Sequence, residues 1–312
     1  MMYVNQFFPS PRMKPCRIGM AGLDTSHVPA FANLLHDASH EHHVPGARIV
    51  AAFPGGSPDF EMSINRVPKY TEEMREKHQV EIVNSLSALR GKCDAVMLES
   101  IDGRVHLAQF REVADWGVPV FIDKPLTVSA VEARELVNIA TEKKVRLTSA
   151  SAMRFAASFR QALNADTAEP VIGGDFYGPM QWQEKCPGYF WYGIHTVEML
   201  FAAMGTGCCE VQSFREELHD VVVGRWTDGR LGIVRGNRAG NPGFGGVIHR
   251  KNKSFAFDVS TGTKPFYASL LEKIIPFFKG QAEVVPPAEM IEVIAFLEAA
   301  NHSATSKQRV TL

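Results

Sequence analysis

The sequence predicts an α/β protein in two parts, a doubly wound parallel sheet over residues 1–150 and an α+β domain with a mostly antiparallel open sheet over 151–312. Three observations carry this. Short apolar runs alternate with helical stretches through the first half, the rhythm of strand–helix–strand units. After Ser151 that rhythm gives way to short strand-like runs broken by turn residues such as Asp228-Gly229, which suits an antiparallel sheet. At 312 residues, moreover, the chain is long for one core.

The elements follow in order. Arg17–Gly22 reads as a buried strand, Leu23–His27 as a turn, and Pro29–Leu35 as an apolar helix. Ala47–Phe53 is a second strand, ended by Pro54-Gly55-Gly56 because glycine and proline punctuate strands. Thr71–His78 is a helix and Glu81–Val83 a short strand. Asp94–Leu98, Arg104–Trp116, Val118–Ile122, Ser129–Lys143 and Val145–Ala150 continue the alternation of strand and helix. In the second half, helices are expected near Phe155–Leu163, His195–Met204, Pro265–Lys279 and Pro287–Asn301. Strands are expected at Val171–Tyr177, Val211–Phe214, Val221–Trp226, Leu231–Arg235, Gly246–Arg250 and Phe255–Val259. Met1 to Pro15, with Pro9, Pro11 and Pro15, reads as a flexible arm without a signal-peptide apolar run.

Composition narrows the function classes. A formal net charge of −1 provides no field for nucleic acid or an anionic membrane, and no apolar run approaches a membrane span. The cysteines (Cys16, Cys93, Cys186, Cys208, Cys209) are odd in number and lack CxxC spacing, so reduced thiols in a cytoplasmic protein are expected. His36, His40, His42 and His43 crowd one loop, but a solvated turn with Asp37 and Glu41 accounts for them, and no metal set is expected.

The turn after the first strand is where a dinucleotide's pyrophosphate meets a helix N-terminus. Here it runs Gly22-Leu23-Asp24-Thr25-Ser26-His27, so Asp24 and His27 stand at the second and third glycine positions of GxGxxG. A carboxylate about 4 Å from a phosphate charge costs on the order of 4 kcal/mol at an effective dielectric near 20. Asp24 is therefore expected to point away as a turn acceptor, or the cofactor to sit differently. Thr25, Ser26 and His27 still offer hydroxyl and N–H groups. No acid follows the second strand to bind ribose hydroxyls; Gly55, Gly56 and Ser57 stand there instead, with Arg66 and Lys69 as counter-charges for a 2′-phosphate. NADP is thus slightly favoured over NAD.

Two further features point to chemistry. Lys124 follows the apolar run Val118–Ile122, at the C-terminal strand edge where open α/β sheets bind ligands. His195 and Glu198 lie three apart, on one face of a helix. Lysine and histidine converging there make an acid/base pair for a hydroxyl or carbonyl substrate. The run Tyr189, Phe190, Trp191, Tyr192 supplies rings for a sugar face or for packing between domains. Arg154 suits either a substrate anion or a structural ion pair.

This order of motifs resembles the glucose–fructose oxidoreductase / inositol dehydrogenase / rhizopine catabolism (Gfo/Idh/MocA) family over nearly the whole chain, as an outlying member. Asp123-Lys124-Pro125 is similar to its Glu-Lys-Pro signature, and Glu99-Ser100-Ile101-Asp102-Gly103-Arg104-Val105-His106 to its fourth-strand loop, with His106 the clear match. Arg154-Phe155 resembles the Arg-Phe pair after the sixth strand. Trp191–Glu198 resembles the Asp-x-Gly-x-His-x-x-Asp helix, with Trp191 replacing the first acid.

The resemblance implies a Rossmann domain binding NADP or NAD through Gly22, Asp24, Thr25, Ser26, His27, Gly55, Gly56, Ser57, Glu99, Ser100, His106 and Asp123. It implies Lys124 and His195 as catalytic residues and a second domain that pairs sheets in a homo-oligomer. Arg154, Trp191, Tyr192 and Glu198 are candidate substrate contacts. The expected activity is hydride transfer between nicotinamide and a sugar, polyol or related hydroxy compound. Two alternatives stay open: a non-redox dinucleotide- or sugar-binding protein of this fold, and a lyase or epimerase with bound cofactor.

Overall fold

The computed structural model describes residues 14–312, so most of the expected N-terminal arm, residues 1–13, lies outside the described residues. The first sheet has six parallel strands. Along the chain run β1 (Cys16–Ala21), α1 (His27–His36), β2 (Ala47–Phe53), α2 (Glu61–Ile64), α3 (Val67–Glu76), β3 (Glu81–Ile82), β4 (Ala95–Leu98), α4 (His106–Val113), β5 (Val120–Ile122), α5 (Ala130–Lys143) and β6 (Leu147–Ser149). The strand order is β3-β2-β1-β4-β5-β6, so the direction of winding reverses between β1 and β4. Loops diverge there and leave a crevice at the strands' C-terminal edge. β4 and β5 are buried throughout, as a sheet covered by helices on both faces requires.

Local chemistry explains the departures from expectation. The helix expected at Thr71 begins at Val67, because Pro68 in the first turn has a preset φ and no amide needing a partner. The expected 104–116 helix stops at Val113 and tightens into a 3₁₀ turn ended by Gly117 at φ 72°. α2 has only four residues and carries no apolar period to announce it.

The second sheet follows α6 (Ala157–Asn164). It comprises β7 (Val171–Pro179), then after α7 (Gly193–Met204) β8 (Cys208–Arg215), β9 (His219–Trp226), β10 (Leu231–Asn237), β11 (Gly245–Arg250) and β12 (Ser254–Asp258). α8 (Phe266–Phe278), α9 (Pro287–Ser306) and β13 (Val310–Thr311) end the chain. The order is β12-β11-β7-β10-β9-β8-β13, and every pairing is antiparallel except β7 with β10. Those two central strands run parallel because α7 crosses over between them and packs on both.

One face of this sheet, with Val211, Val222, Val234 and Ile248, is buried under α7 and α9. The other carries Val221, Val223 and Ile233, and Leu231 with half its surface exposed. α9 also packs on α5 and β6, so the last helix touches both sheets.

Candidate active site

The C-terminal edge of the first sheet faces α7 across a cavity of about 290 Å³. Thr25, Ser26 and His27 from the start of α1 line one side, with Arg66, Ile101 and Lys124. Ser151, Met153, Trp191, Tyr192, His195, Phe244, Phe266 and Tyr267 line the other. Lys124 and His195, far apart in sequence, thus share one cavity. The Lys124 ammonium sits 5.4 Å from the centroid of the Trp191 ring, a cation–π contact that holds it at the wall. Trp191, where the sequence lacks its expected acid, therefore positions the lysine.

His195 is held at Nδ1 by Ser151 Oγ, 2.6 Å away. Burial, with the charges of Lys124 and His27 nearby, lowers its pKa well below the usual 6.5, so the ring is neutral near pH 7. Ser151 was not singled out in the sequence, although its place just past β6, at the binding edge, was a usable signal. Phe266 and Tyr267 follow Pro265 at the start of α8 and carry no such signal.

Beneath the cavity lies a charged floor. Glu99 follows β4 and Asp123 follows β5, and Leu98 pairs with Ile122 in register, so the two carboxylates project from adjacent strand ends. His27, the first residue of α1, sits over both. Its Nδ1 is 3.1 Å from Asp123 Oδ2 and 3.7 Å from Glu99 Oε2. Burial pulls the His27 pKa down, but the Asp123 charge and contacts with both acids outweigh it and lift the pKa to about 9. Burial pushes Glu99 up; for Asp123 the His27 and Lys124 charges overcome burial and hold the carboxyl down.

The turn after β1 answers the question posed by Asp24. Gly22 has φ +91°, and a Cβ there would stand 2.4 Å from the Ser100 amide nitrogen, so only glycine fits. Asp24 points away from the cavity and is fully buried, accepting from Ser63 Oγ at 2.5 Å and the Ile101 amide at 3.1 Å. Burial raises its pKa, and those bonds offset part of the rise. The carboxylate is a turn acceptor and not a phosphate contact.

The segment from Pro54 to Arg66 lies across this turn. Leu23 N donates to Pro54 O at 2.7 Å, and a Cβ on Gly55 would be 3.4 Å from Gly22 Cα. Ser57 Oγ donates to Asp102 at 2.7 Å, and Arg104 pairs with Asp59 at 2.9 Å, tying the segment to the loop after β4.

Several expected contacts are corrected by this geometry. Gly55, Gly56 and Ser57 do not line the cavity; Ser57 is spent on Asp102. His106 is buried and bonded at Nε2 to Ser100 O (2.8 Å) and at Nδ1 to Pro125 O (2.9 Å), so it braces two loops. Ser100 Oγ accepts from Gln109. Arg154 and Glu198 form a buried ion pair at 2.6 Å, with Glu289 of α9 as the second partner of Arg154. They knit α7 to α9 and are absent from the cavity wall. His36 and His43 are bonded to the backbone at Ile49 N and Leu34 O, as a structural loop requires.

The residues at the cavity fit part of a dinucleotide: the hydroxyls of Thr25 and Ser26 at a helix N-terminus, and Arg66 as counter-charge.

Comparison with known proteins agrees with this setting. Residues 17–151 match the GFO_IDH_MocA profile, described as an oxidoreductase family with an NAD-binding Rossmann fold. A Salmonella typhimurium protein, YceM, provisionally named an oxidoreductase, is 36% identical over 86 residues; the match spans 28% of this chain and 28% of that protein. A myo-inositol dehydrogenase from Corynebacterium glutamicum superposes with a TM-score of 0.75 at 15% identity, covering 96% of this chain and 99% of the other. GenD2 from gentamicin A biosynthesis, solved with NAD, does so with a TM-score of 0.75 at 17% identity, covering 97% and 98%. At these identities the superpositions speak for the fold.

Proposed function

We propose that the chain, whose residues 17–151 match the NAD-binding Rossmann model of the Gfo/Idh/MocA oxidoreductase family, oxidises or reduces a sugar, polyol or related hydroxy compound with Lys124 and His195 at the reacting oxygen. The observation that carries this reading is the single cavity lined by both residues beside Thr25 and Ser26. Gly22, Thr25, Ser26 and Arg66 would hold the cofactor, which supplies the hydride acceptor or donor when bound.

The rest is work for the chain's own side chains. His195, neutral and fixed through Nδ1 by Ser151, has Nε2 left to accept the substrate hydroxyl proton. Lys124 stabilises charge developing on the same oxygen, an electrostatic role strengthened by its buried position. Trp191 and Tyr192 offer ring faces to a sugar or polyol. A cytoplasmic location and self-association through the second sheet complete the proposal; the chain's described residues contain no helix long and apolar enough to cross a membrane.

One observation favours a second reading. The segment from Pro54 to Arg66 lies across the turn after β1 and is tied to the loop after β4, an arrangement that would crowd the adenosine half of a dinucleotide and so suits a non-redox binding protein of this fold. Absorbance of the reduced nicotinamide, followed across a panel of sugars and polyols with NAD and NADP, separates the two. Turnover that falls about 10²–10³-fold in Lys124→Met supports the first reading. No turnover together with no dinucleotide binding would leave the second. Cofactor retained through purification without net redox change would instead indicate a lyase or epimerase.

A further inference from the structure

We propose that His27, Glu99 and Asp123 form a binding site for one divalent transition-metal ion at the floor of the cavity. The three residues come from three different loops: the start of α1 and the ends of β4 and β5. One ligand atom from each lies within 4.8 Å of the others, and all three side chains are buried. A buried carboxylate without donors is costly, and here neither Glu99 oxygen has a hydrogen-bond partner. Asp123 Oδ2 and His27 Nδ1 face each other as an ion pair at 3.1 Å but make no hydrogen bond. Four buried polar atoms thus converge on one point with nothing of the protein between them.

The direction of these atoms matters as much as their distance. An imidazolium bridging two carboxylates would aim its Nδ1–H along the 3.1 Å line to Asp123 Oδ2. That line does not meet hydrogen-bond geometry, which is why both atoms remain without a bond. Two ligands of one ion approach each other without pointing at each other. With metal–ligand bonds near 2.0–2.2 Å, neighbouring ligand atoms sit about 3.0–3.5 Å apart in four- to six-coordinate geometry. The His27–Asp123 distance of 3.1 Å falls within that range, and the His27–Glu99 distance of 3.7 Å lies just beyond it.

The donor set narrows the ion. One imidazole nitrogen with two carboxylate oxygens suits Mn²⁺, Fe²⁺ or Zn²⁺ better than Mg²⁺ or Ca²⁺, which prefer oxygen alone. Two carboxylates balance the ion's charge, and the neighbouring Lys124 ammonium is drawn off toward the Trp191 ring. His27 itself lines the cavity, which gives the ion an entry path and leaves its remaining coordination positions open to solvent or substrate. The inference stands apart from the redox reading, because an ion can be bound and measured with no dinucleotide or substrate present.

Calorimetric titration of the full chain, dialysed first against chelator, with Mn²⁺ and separately with Zn²⁺ tests it. One equivalent of tight binding is expected, weakened by more than about 100-fold in Glu99→Gln and in Asp123→Asn. The paired variant His40→Gln/His42→Gln, which alters half-buried loop histidines away from the cavity, should bind as the wild type does. Binding that survives Glu99→Gln, or that disappears with the loop histidines, would overturn the proposal. Pulsed EPR of the wild-type Mn²⁺ complex guards against a variant that fails to fold: it should report coupling to one imidazole nitrogen. Coupling to none or to several, or no binding of either ion, refutes the site.

Discussion

Neighbouring charges send the two buried site histidines in opposite directions. For His195, burial and the charges of Lys124 and His27 outweigh that of Asp123, so its pKa falls below 6.5; His27 meets two carboxylates, so its pKa rises to about 9. The acidic limb of kcat/KM governed by His195 should therefore lie below pH 6.5 and disappear in His195→Asn, which should lose about 10²–10⁴-fold in turnover. An acidic limb above 6.5 would assign it to another group. His27, with its folded pKa raised, stabilises the metal-free fold fully below its unfolded value of 6.5, and that contribution is lost as pH rises through about 9. Thermal unfolding of His27→Gln across that window should show a flatter pH dependence than wild type.

Lys124 and His195 were legible because strand-end and helix motifs fix their places. Arg154 and Glu198 were not, since their partner Glu289 lies 135 residues beyond Arg154, and spacing on one helix cannot say what faces it. Arg154→Met should cost about 3–5 kcal/mol by stranding two buried carboxylates, read as a lower melting temperature with little change in dinucleotide affinity.

Among the elements, the segment from Pro54 to Arg66 is the one whose role the sequence concealed. Its glycines look like a phosphate cradle, yet its serines are engaged by Asp24 and Asp102. Those acids sit on other loops, so no local pattern reveals them. Removing both hydroxyls in Ser57→Ala/Ser63→Ala should cost about 1–3 kcal/mol for each acceptor left unsatisfied. It should also speed hydrogen exchange across residues 57–63. If the segment must lift to admit the adenosine half, NADH or NADPH will bind the double variant more tightly in a fluorescence titration; weaker binding would mean that the closed segment is itself part of the cofactor site. The regular strands of the first sheet were readable from continuous apolar runs. The parallel contact of β7 with β10 was not, because alternation along a strand carries no information about its neighbour's direction.

At the level of the whole molecule, the open face of the second sheet calls for a cover. Val221, Val223, Leu231 and Ile233 share that face by register, and half of the Leu231 surface is exposed. A second copy is the proposed cover. Light scattering at micromolar concentration should show a mass of at least two chains, and Val223→Lys/Ile233→Lys should return it to the 34.5 kDa monomer. A wild-type monomer would remove this idea.

The order in which the chain is made gives α9 a significance of a different kind. β6, the edge strand of the first sheet, is finished by residues made far later: Ser149 N reaches Met290 Sδ at 3.1 Å, and Thr148 Oγ1 accepts from Val285 N at 3.3 Å. On the ribosome, the first domain is complete in sequence while its flank of β6 and α5 still waits for α9. At about 5–20 residues per second that interval is roughly eight to thirty seconds. A nascent chain holding an uncovered strand edge for so long is a natural client for chaperones. A messenger truncated before α9 should yield aggregate in place of a soluble half-protein.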